Sequence, residues 1–297
     1  MPWYGYSILT SFSLVGLYLC IKWLTARGFE TKQILLFMIG FALLGFLGAT
    51  VPDLQRIANS EHLLGFLAAG TFAGIFAAIG HWADFEAIKK APNPGYATAI
   101  RNSSILPVTV LSIFLFGSSF HFVKLAGALL ILIGIVVLVV ERNGVSGQNG
   151  VGHSAQKKWV VLALIALIGY TLMVLGVKKA TLLGFAPPEI CLCIYIVNFV
   201  FFAVGCRKNL KEYFQDKIKL NAFLPAVFIC SVFAFAANLL NVKGLELAPN
   251  PGYSEAVRNT NVLFITLLAI PLFKASFDRR KMAGVVTIVV GIFVLVI

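Results

Sequence analysis

Two arginines, Arg101 and Arg258, lie inside segments that are otherwise apolar. The segments read APNPGYATAIRN (91–102) and APNPGYSEAVRN (248–259), with nine of twelve positions identical. Each arginine follows the prolines by about seven residues, which places it roughly 10 Å along a helix at 1.5 Å per residue. A guanidinium group so deep in apolar surroundings needs an anionic partner, either a protein carboxylate or a bound anion. The residues therefore predict anion recognition or internal ion pairing.

Carboxylates that could neutralise the arginines lie nearby in the sequence. Glu255 precedes Arg258 by three residues, a favourable spacing for an ion pair on one helix. No carboxylate occupies the matching position before Arg101, so its partner must come from another element. Asp84 and Glu86, near the end of the preceding apolar segment, are the available acidic residues.

Two interpretations of these charges remain open. The ion pairs could be structural braces, or they could line a polar cavity in which Asp84 or Glu255 takes up a proton while the arginines hold an anionic or zwitterionic group. The side chains expected to bind such a substrate are Arg101, Asn102, Arg258, Asn259, Tyr96, Tyr253, Trp82, Asn238 and Asn241. Those expected to balance charge are Asp84, Glu86, Glu255 and His81.

The start of each motif predicts a helix N-terminus. An asparagine is a favourable N-cap, and a proline at the first helical position loses no hydrogen bond. The residues assigned to these caps are Asn93, Pro94, Gly95, Asn250, Pro251 and Gly252.

The sequence gives no support for catalytic activity or for binding of metals, cofactors or nucleic acids. The four histidines are dispersed, and His81 is expected to be a hydrogen-bonded neighbour rather than a metal ligand. The five cysteines form no C-x-x-C pair. The basic residues behind the net charge of +12 are scattered over short loops. No enzymatic activity is predicted.

The elements that must position these residues are apolar blocks of membrane-spanning length. The chain is 59% hydrophobic and 12% charged, and about 20 apolar residues cross a bilayer as a helix. The first block lacks a basic leader and a cleavage site, which predicts a first span. The ten blocks are 4–23, 33–50, 63–88, 95–116, 122–140, 158–177, 187–206, 222–247, 252–273 and 281–297. The predicted fold is an all-α polytopic membrane protein.

The two halves of the chain are repeats, because adding 157 to a residue number carries one half onto the other. Lys124-Leu-Ala-Gly127 falls on Lys281-Met-Ala-Gly284 by this shift. Five spans per half force the second repeat to be inverted, a design that recurs in secondary transporters. We expect a first repeat at 1–142, a flexible linker at 143–157 and a second repeat at 158–297. His81 and Asp84 fall on Asn238 and Asn241, so this part of the repeat is chemically asymmetric.

The loop charges predict an orientation. The loops after odd-numbered spans hold 17 Lys and Arg residues, and the alternate loops hold 5. The positive-inside rule then places the odd-numbered loops in the cytoplasm and both termini outside. The expected location is the cell (inner) membrane, and the chain is expected to be a monomer or a homodimer.

The chain resembles the drug/metabolite transporter superfamily, specifically its ten-span EamA type. The resemblance rests on the repeat, on a lysine near the end of each half's first span (Lys22 and Lys179), and on the A-P start of spans four and nine. It also rests on the closing spans KLAGALLILIGIVVLV (124–139) and KMAGVVTIVVGIFVLVI (281–297). It implies a secondary transporter, usually an exporter of amino acids or other metabolites, with a central cavity between the repeats and alternating access.

Two features depart from that family's pattern. A glutamate that many members carry before the closing span is replaced by Ser118 in one half and Ala275 in the other. The family generally keeps both termini cytoplasmic, whereas the charge count places them outside.

Two alternatives to a transporter of anionic or zwitterionic metabolites stay open. A multidrug exporter of lipophilic cations would have a cavity lined by aromatic rings and carboxylates, with the arginines neutralised elsewhere. A membrane scaffold would have packed helices and no cavity. Protons are the expected coupling ion for transport.

Overall fold

The computed structural model describes residues 1–90, 97, 100–139, 153–207, 217–264, 268 and 279–297. These residues form helices, with no strand among them. The helices are α1 (Trp3–Ala26), α2 (Thr31–Thr50), α3 (Leu54–Ala58), α4 (Leu63–Lys90), α5 (Ile105–Phe116), α6 (Phe122–Val139), α7 (His153–Leu182), α8 (Pro187–Cys206), α9 (Lys217–Leu247), α10 (Pro251–Arg258) and α11 (Arg279–Val296). The all-helical prediction is confirmed.

The helix boundaries follow the apolar blocks of the sequence. The block 187–206 coincides with α8, and the block 63–88 lies within α4. Six of the described helices are long and apolar enough to cross a membrane, and three shorter apolar helices accompany them. Of the predicted linker, residues 143–152 lie outside the described part of the chain, and α7 begins at His153.

The chain forms two compact units. The first comprises Met1–Ala78 and Leu175–Leu247, and the second comprises Ile79–Val174 and Ala248–Ile297. Each unit therefore takes residues from both predicted repeats. The helices α4 and α7 are each divided between the two units.

The first unit is built on α1, α2, α8 and α9, which pack against one another through apolar and aromatic side chains. The buried ring of Phe46 lies 4.8 Å from the ring of Tyr195 and 4.5 Å from that of Phe235. Lys178, near the end of α7, donates from its ammonium group to the carbonyl oxygens of Leu245 (3.0 Å) and Glu246 (3.2 Å). This lysine satisfies carbonyl groups that the end of α9 leaves open.

In the second unit, α6 and α11 pack closely along a row of glycines. A Cβ atom added to Gly127 would lie 2.9 Å from the carbonyl oxygen of Gly291, and one added to Gly134 would lie 2.9 Å from that of Gly284. Only glycine allows such close approach of two helix backbones, a common device in membranes. These glycines belong to the closing spans of the two repeats.

Candidate functional site

The helix of span four is interrupted directly after Arg101 and Asn102. Ser103 and Ser104 form a turn there, and α5 begins at Ile105. The amide of Ser103 donates to Ile100 O at 3.1 Å, and that of Ser104 donates to Arg101 O at 3.0 Å. These hydrogen bonds join residues three apart, which is the tighter 3-10 pattern.

Span nine is interrupted at the equivalent place. Helix α10 ends at Arg258, and Asn259 and Thr260 form the turn. The amide of Thr260 donates to Val257 O at 3.1 Å, and the Thr260 hydroxyl donates to the same oxygen at 2.7 Å. Short polar side chains compete with the helical backbone for hydrogen bonds, which favours a turn within an otherwise apolar span. Discontinuous helices of this kind form substrate sites in many transporters.

Arg101 forms the predicted ion pair with Asp84 of α4. Its Nη1 atom lies 2.8 Å from Oδ2 of Asp84, and both side chains are buried. The Nε and Nη2 atoms donate to Oδ1 of Asn102 at 3.2 Å and 3.0 Å. One guanidinium group is thus held by a carboxylate from a different helix and by the amide of the next residue.

Arg258 forms the other predicted ion pair. Its Nη2 atom lies 2.5 Å from Oε2 of Glu255, which is completely buried in α10. The same nitrogen donates to Oδ1 of Asn259 at 3.2 Å. Both motifs therefore build the same group, an arginine that is neutralised by a carboxylate and contacted by the asparagine that follows it.

His81 and Tyr170 lie beside the ion pair of Asp84 and Arg101 in the second unit. The Tyr170 hydroxyl lies 2.8 Å from Nδ1 of His81, and the Arg101 guanidinium carbon lies 5.9 Å from the centre of the Tyr170 ring. Arg101 and Arg258 both act electrostatically on His81 and on Glu255. The two ion pairs thus belong to one electrostatic cluster. Sequence reasoning missed Tyr170, because nothing in the apolar run around it identifies its neighbours.

The second cap motif is present as predicted. The side chain of Asn250 accepts a hydrogen bond from the amide of Gly252 at 2.9 Å, and Pro251 is the first residue of α10. Asn250 also donates to Thr109 O at 3.1 Å, which fixes the start of α10 against α5. The first cap motif, Asn93, Pro94 and Gly95, lies outside the described residues, as does Tyr96.

The other predicted site residues lie in different surroundings. Trp82 is exposed, and Glu86 forms an ion pair with Lys90 at 2.7 Å. Tyr253 is fully buried, and its hydroxyl lies within hydrogen-bonding distance of the backbone N and O atoms of His121. In the first unit, Asn238 donates to the hydroxyl of Tyr195 at 2.8 Å, and Asn241 is buried.

Among the described residues, no group of three or more His, Cys, Asp or Glu side chains lies close enough to hold a metal ion. The hydrogen bond between His81 and Tyr170 gives this histidine the polar neighbour that the sequence predicts.

The comparisons with known proteins identify the family. The EamA-like transporter family matches residues 1–140 and 157–297. The chain belongs to the EamA-like transporter family. A search of curated proteins finds no match. One solved structure, described only as a crystal structure of a protein, is similar with a TM-score of 0.68 and 19% identity, and the alignment covers 98% of this chain and 96% of that one. This likeness concerns the fold.

As a member of the EamA family, the chain is an integral, multi-pass membrane protein that transports small molecules. The family also carries the two-repeat topology predicted from the sequence. Within this transporter, the cluster of the second unit retains several buried polar atoms that lack a hydrogen-bond partner among the described residues. They include Oδ1 of Asp84, Nδ2 of Asn102 and Nδ2 of Asn259. Buried polar atoms are costly unless they are bonded, so these atoms call for a partner beyond those that the described residues supply.

Proposed function

We propose that this EamA family member is a secondary-active transporter of a small polar metabolite that carries a carboxylate or another anionic group, such as an amino acid. The paired Arg-Asn groups of spans four and nine supply the recognition. A guanidinium group offers paired donors that match a carboxylate, and each asparagine presents a buried amide nitrogen beside it. The observation that carries the proposal is the presence of this arrangement twice, each time at an interruption of a helix.

The position of the arginines at helix interruptions supports a binding role over a purely structural one. A structural ion pair needs no turn after it, whereas a transporter site commonly lies where a membrane helix is discontinuous. Ser103 and Ser104 in span four, and Asn259 and Thr260 in span nine, produce that discontinuity directly beside the charged groups. The donors Asn102 Nδ2 and Asn259 Nδ2, which have no hydrogen-bond partner among the described residues, occupy equivalent positions of the two repeats.

Alternating access and proton coupling complete the proposal. The inverted repeat provides two related halves that can exchange conformations around a substrate. Asp84 and Glu255 are buried carboxylates in direct contact with the arginines, and such groups serve as proton carriers in membrane transporters. The chain is placed in the inner cell membrane in this proposal.

The test is transport by the purified full chain in liposomes. We expect saturable uptake of a labelled anionic or zwitterionic metabolite from a panel of glutamate, alanine, succinate and phosphate, measured by counterflow against the same unlabelled compound. Tetraphenylphosphonium and ethidium serve as lipophilic cations in the same assay. Transport of the cations alone would contradict the proposal and favour a multidrug exporter, and movement of no probe would favour a scaffold.

A further inference from the structure

The two ion pairs of the cluster differ in how they are built. Glu255 and Arg258 lie three residues apart on one helix, so the pair moves as a unit. Asp84 belongs to α4, whereas Arg101 lies in the following span, so the second pair joins two helices. A relative movement of spans three and four would therefore separate Asp84 from Arg101, and would leave Glu255 with Arg258.

Asp84 holds Arg101 through one oxygen. Oδ2 contacts Nη1 at 2.8 Å, while Oδ1 is buried and has no hydrogen-bond partner among the described residues. A carboxylate that binds a guanidinium group with both oxygens makes two parallel hydrogen bonds and is held more strongly. A substrate carboxylate can therefore compete with Asp84 for Arg101, provided that the displaced aspartate is neutralised.

Among the described residues, the other charged and titratable groups of the cluster are already engaged with one another. Arg258 is held by Glu255, and His81 and Tyr170 are hydrogen-bonded to each other. Asp84 itself is buried. A buried carboxylate that loses its counter-ion becomes neutral by binding a proton, because the charged form is costly away from water.

We infer that an anionic substrate displaces Asp84 from Arg101, that Asp84 takes up one proton as it is displaced, and that the substrate and the proton cross the membrane together. This inference rests on the proposed function. The charges balance: the ion pair of Asp84 with Arg101 is replaced by an ion pair of the substrate with Arg101, and the aspartate becomes a neutral carboxylic acid. The net charge of the cluster changes only by the substrate's own charge and one proton.

The coupling has a direction. Because the substrate and the proton bind together, an inward proton gradient drives the substrate inward. Transport by this route is uptake rather than the export that the family resemblance implies. A transporter in which the proton and the substrate compete for the same group would instead exchange one for the other, so an inward proton gradient would drive the substrate outward.

The experiment uses the full chain in liposomes that contain the pH-sensitive dye pyranine, with labelled glutamate, succinate and phosphate as probes. For the wild type, we expect that an outside-acid pH gradient drives accumulation of an anion and that anion entry acidifies the lumen. Asp84→Asn mimics the neutral aspartate. This variant is expected to exchange internal for external anion, but to lose both the gradient-driven accumulation and the acidification.

Glu189→Gln is the matched control. Glu189 is a buried carboxylate that forms an ion pair with Arg56 in the first unit, so its loss reports the general effect of breaking such a pair. This variant should keep the proton coupling. His81→Asn replaces the neighbouring titratable group and tests whether the proton is carried there instead.

Several outcomes would overturn the inference. Wild-type anion entry without luminal acidification would refute the coupling while leaving the proposed function intact, and it needs no variant to fold. Coupling that survives in Asp84→Asn, or that is lost only in His81→Asn, would place the proton elsewhere. If no anion moves in the wild type, both the inference and the proposed anionic substrate are refuted.

Discussion

Gly252 packs directly against Thr109, where the start of α10 meets α5. A Cβ atom on Gly252 would lie 2.8 Å from the backbone nitrogen of Thr109 and 2.9 Å from its Cα atom, and it would overlap the threonine hydroxyl. The N-cap residue Asn250 binds Thr109 O at the same place. The glycine of the repeated motif therefore fixes the distance between the two interrupted spans.

The first prediction is that Gly252→Ala destabilises the protein. The added methyl group meets backbone atoms that cannot move aside, and overpacking of this kind typically costs about 1–3 kcal/mol. The thermal unfolding midpoint in detergent should fall. Gly48→Ala is the control, because a Cβ atom at Gly48 would meet nothing within 4 Å. An equal midpoint for Gly252→Ala and the wild type would contradict the packing described for α10.

The second prediction concerns the ion pair in α10. Glu255→Gln should destabilise the protein, because Arg258 then remains as a largely enclosed cation without its carboxylate, and breaking a buried pair typically costs up to about 3–5 kcal/mol. The double variant Glu255→Gln with Arg258→Gln should recover part of that loss. The measurement is the unfolding midpoint of the wild type and of the two variants. If both variants fold as well as the wild type but neither transports, Glu255 acts in transport rather than as a brace.

The third prediction is the membrane orientation. The charge count places Lys211, between spans seven and eight, and Arg279, at the start of span ten, on the cytoplasmic side. A cysteine at either position should resist an impermeant thiol reagent in intact cells, relative to the background of the five native cysteines. Glu61→Cys is the control on the opposite side, because Glu61 is highly exposed and should label readily. The reverse labelling pattern would place both termini in the cytoplasm.

Much of the fold could be predicted from the sequence, because helix positions in a membrane protein depend mainly on the length of apolar runs. The block 187–206 matches α8 residue for residue. The division of the chain into two compact units could not be predicted. Packing between helices decides it, and α4 and α7 each contribute to both units.

The charged part of the site was predictable for a different reason. A buried arginine must have an anionic partner, and few carboxylates are available near Arg101 in the sequence, so Asp84 could be named. The hydrogen-bonding partner of His81 could not be named, because Tyr170 lies 89 residues away and only the packing of α7 beside α4 brings the two together. The helix interruptions had a signal that was missed, the polar runs RNSS (101–104) and RNTN (258–261) inside apolar spans.

The central claim is that Arg101 and Arg258 bind the anionic group of the substrate, and transport by arginine variants tests it most directly. Arg101→Gln and Arg258→Gln should each abolish uptake of the labelled anion or zwitterion. The corresponding lysine variants should keep part of the uptake, because lysine retains the positive charge but lacks the planar guanidinium group with its paired donors. The double variant Asp84→Asn with Arg101→Gln removes both partners of the buried pair, so it should fold and reach the membrane but remain inactive. Uptake by this double variant at the wild-type rate would contradict the account. So would a result in which the wild type and the glutamine variants transport only lipophilic cations.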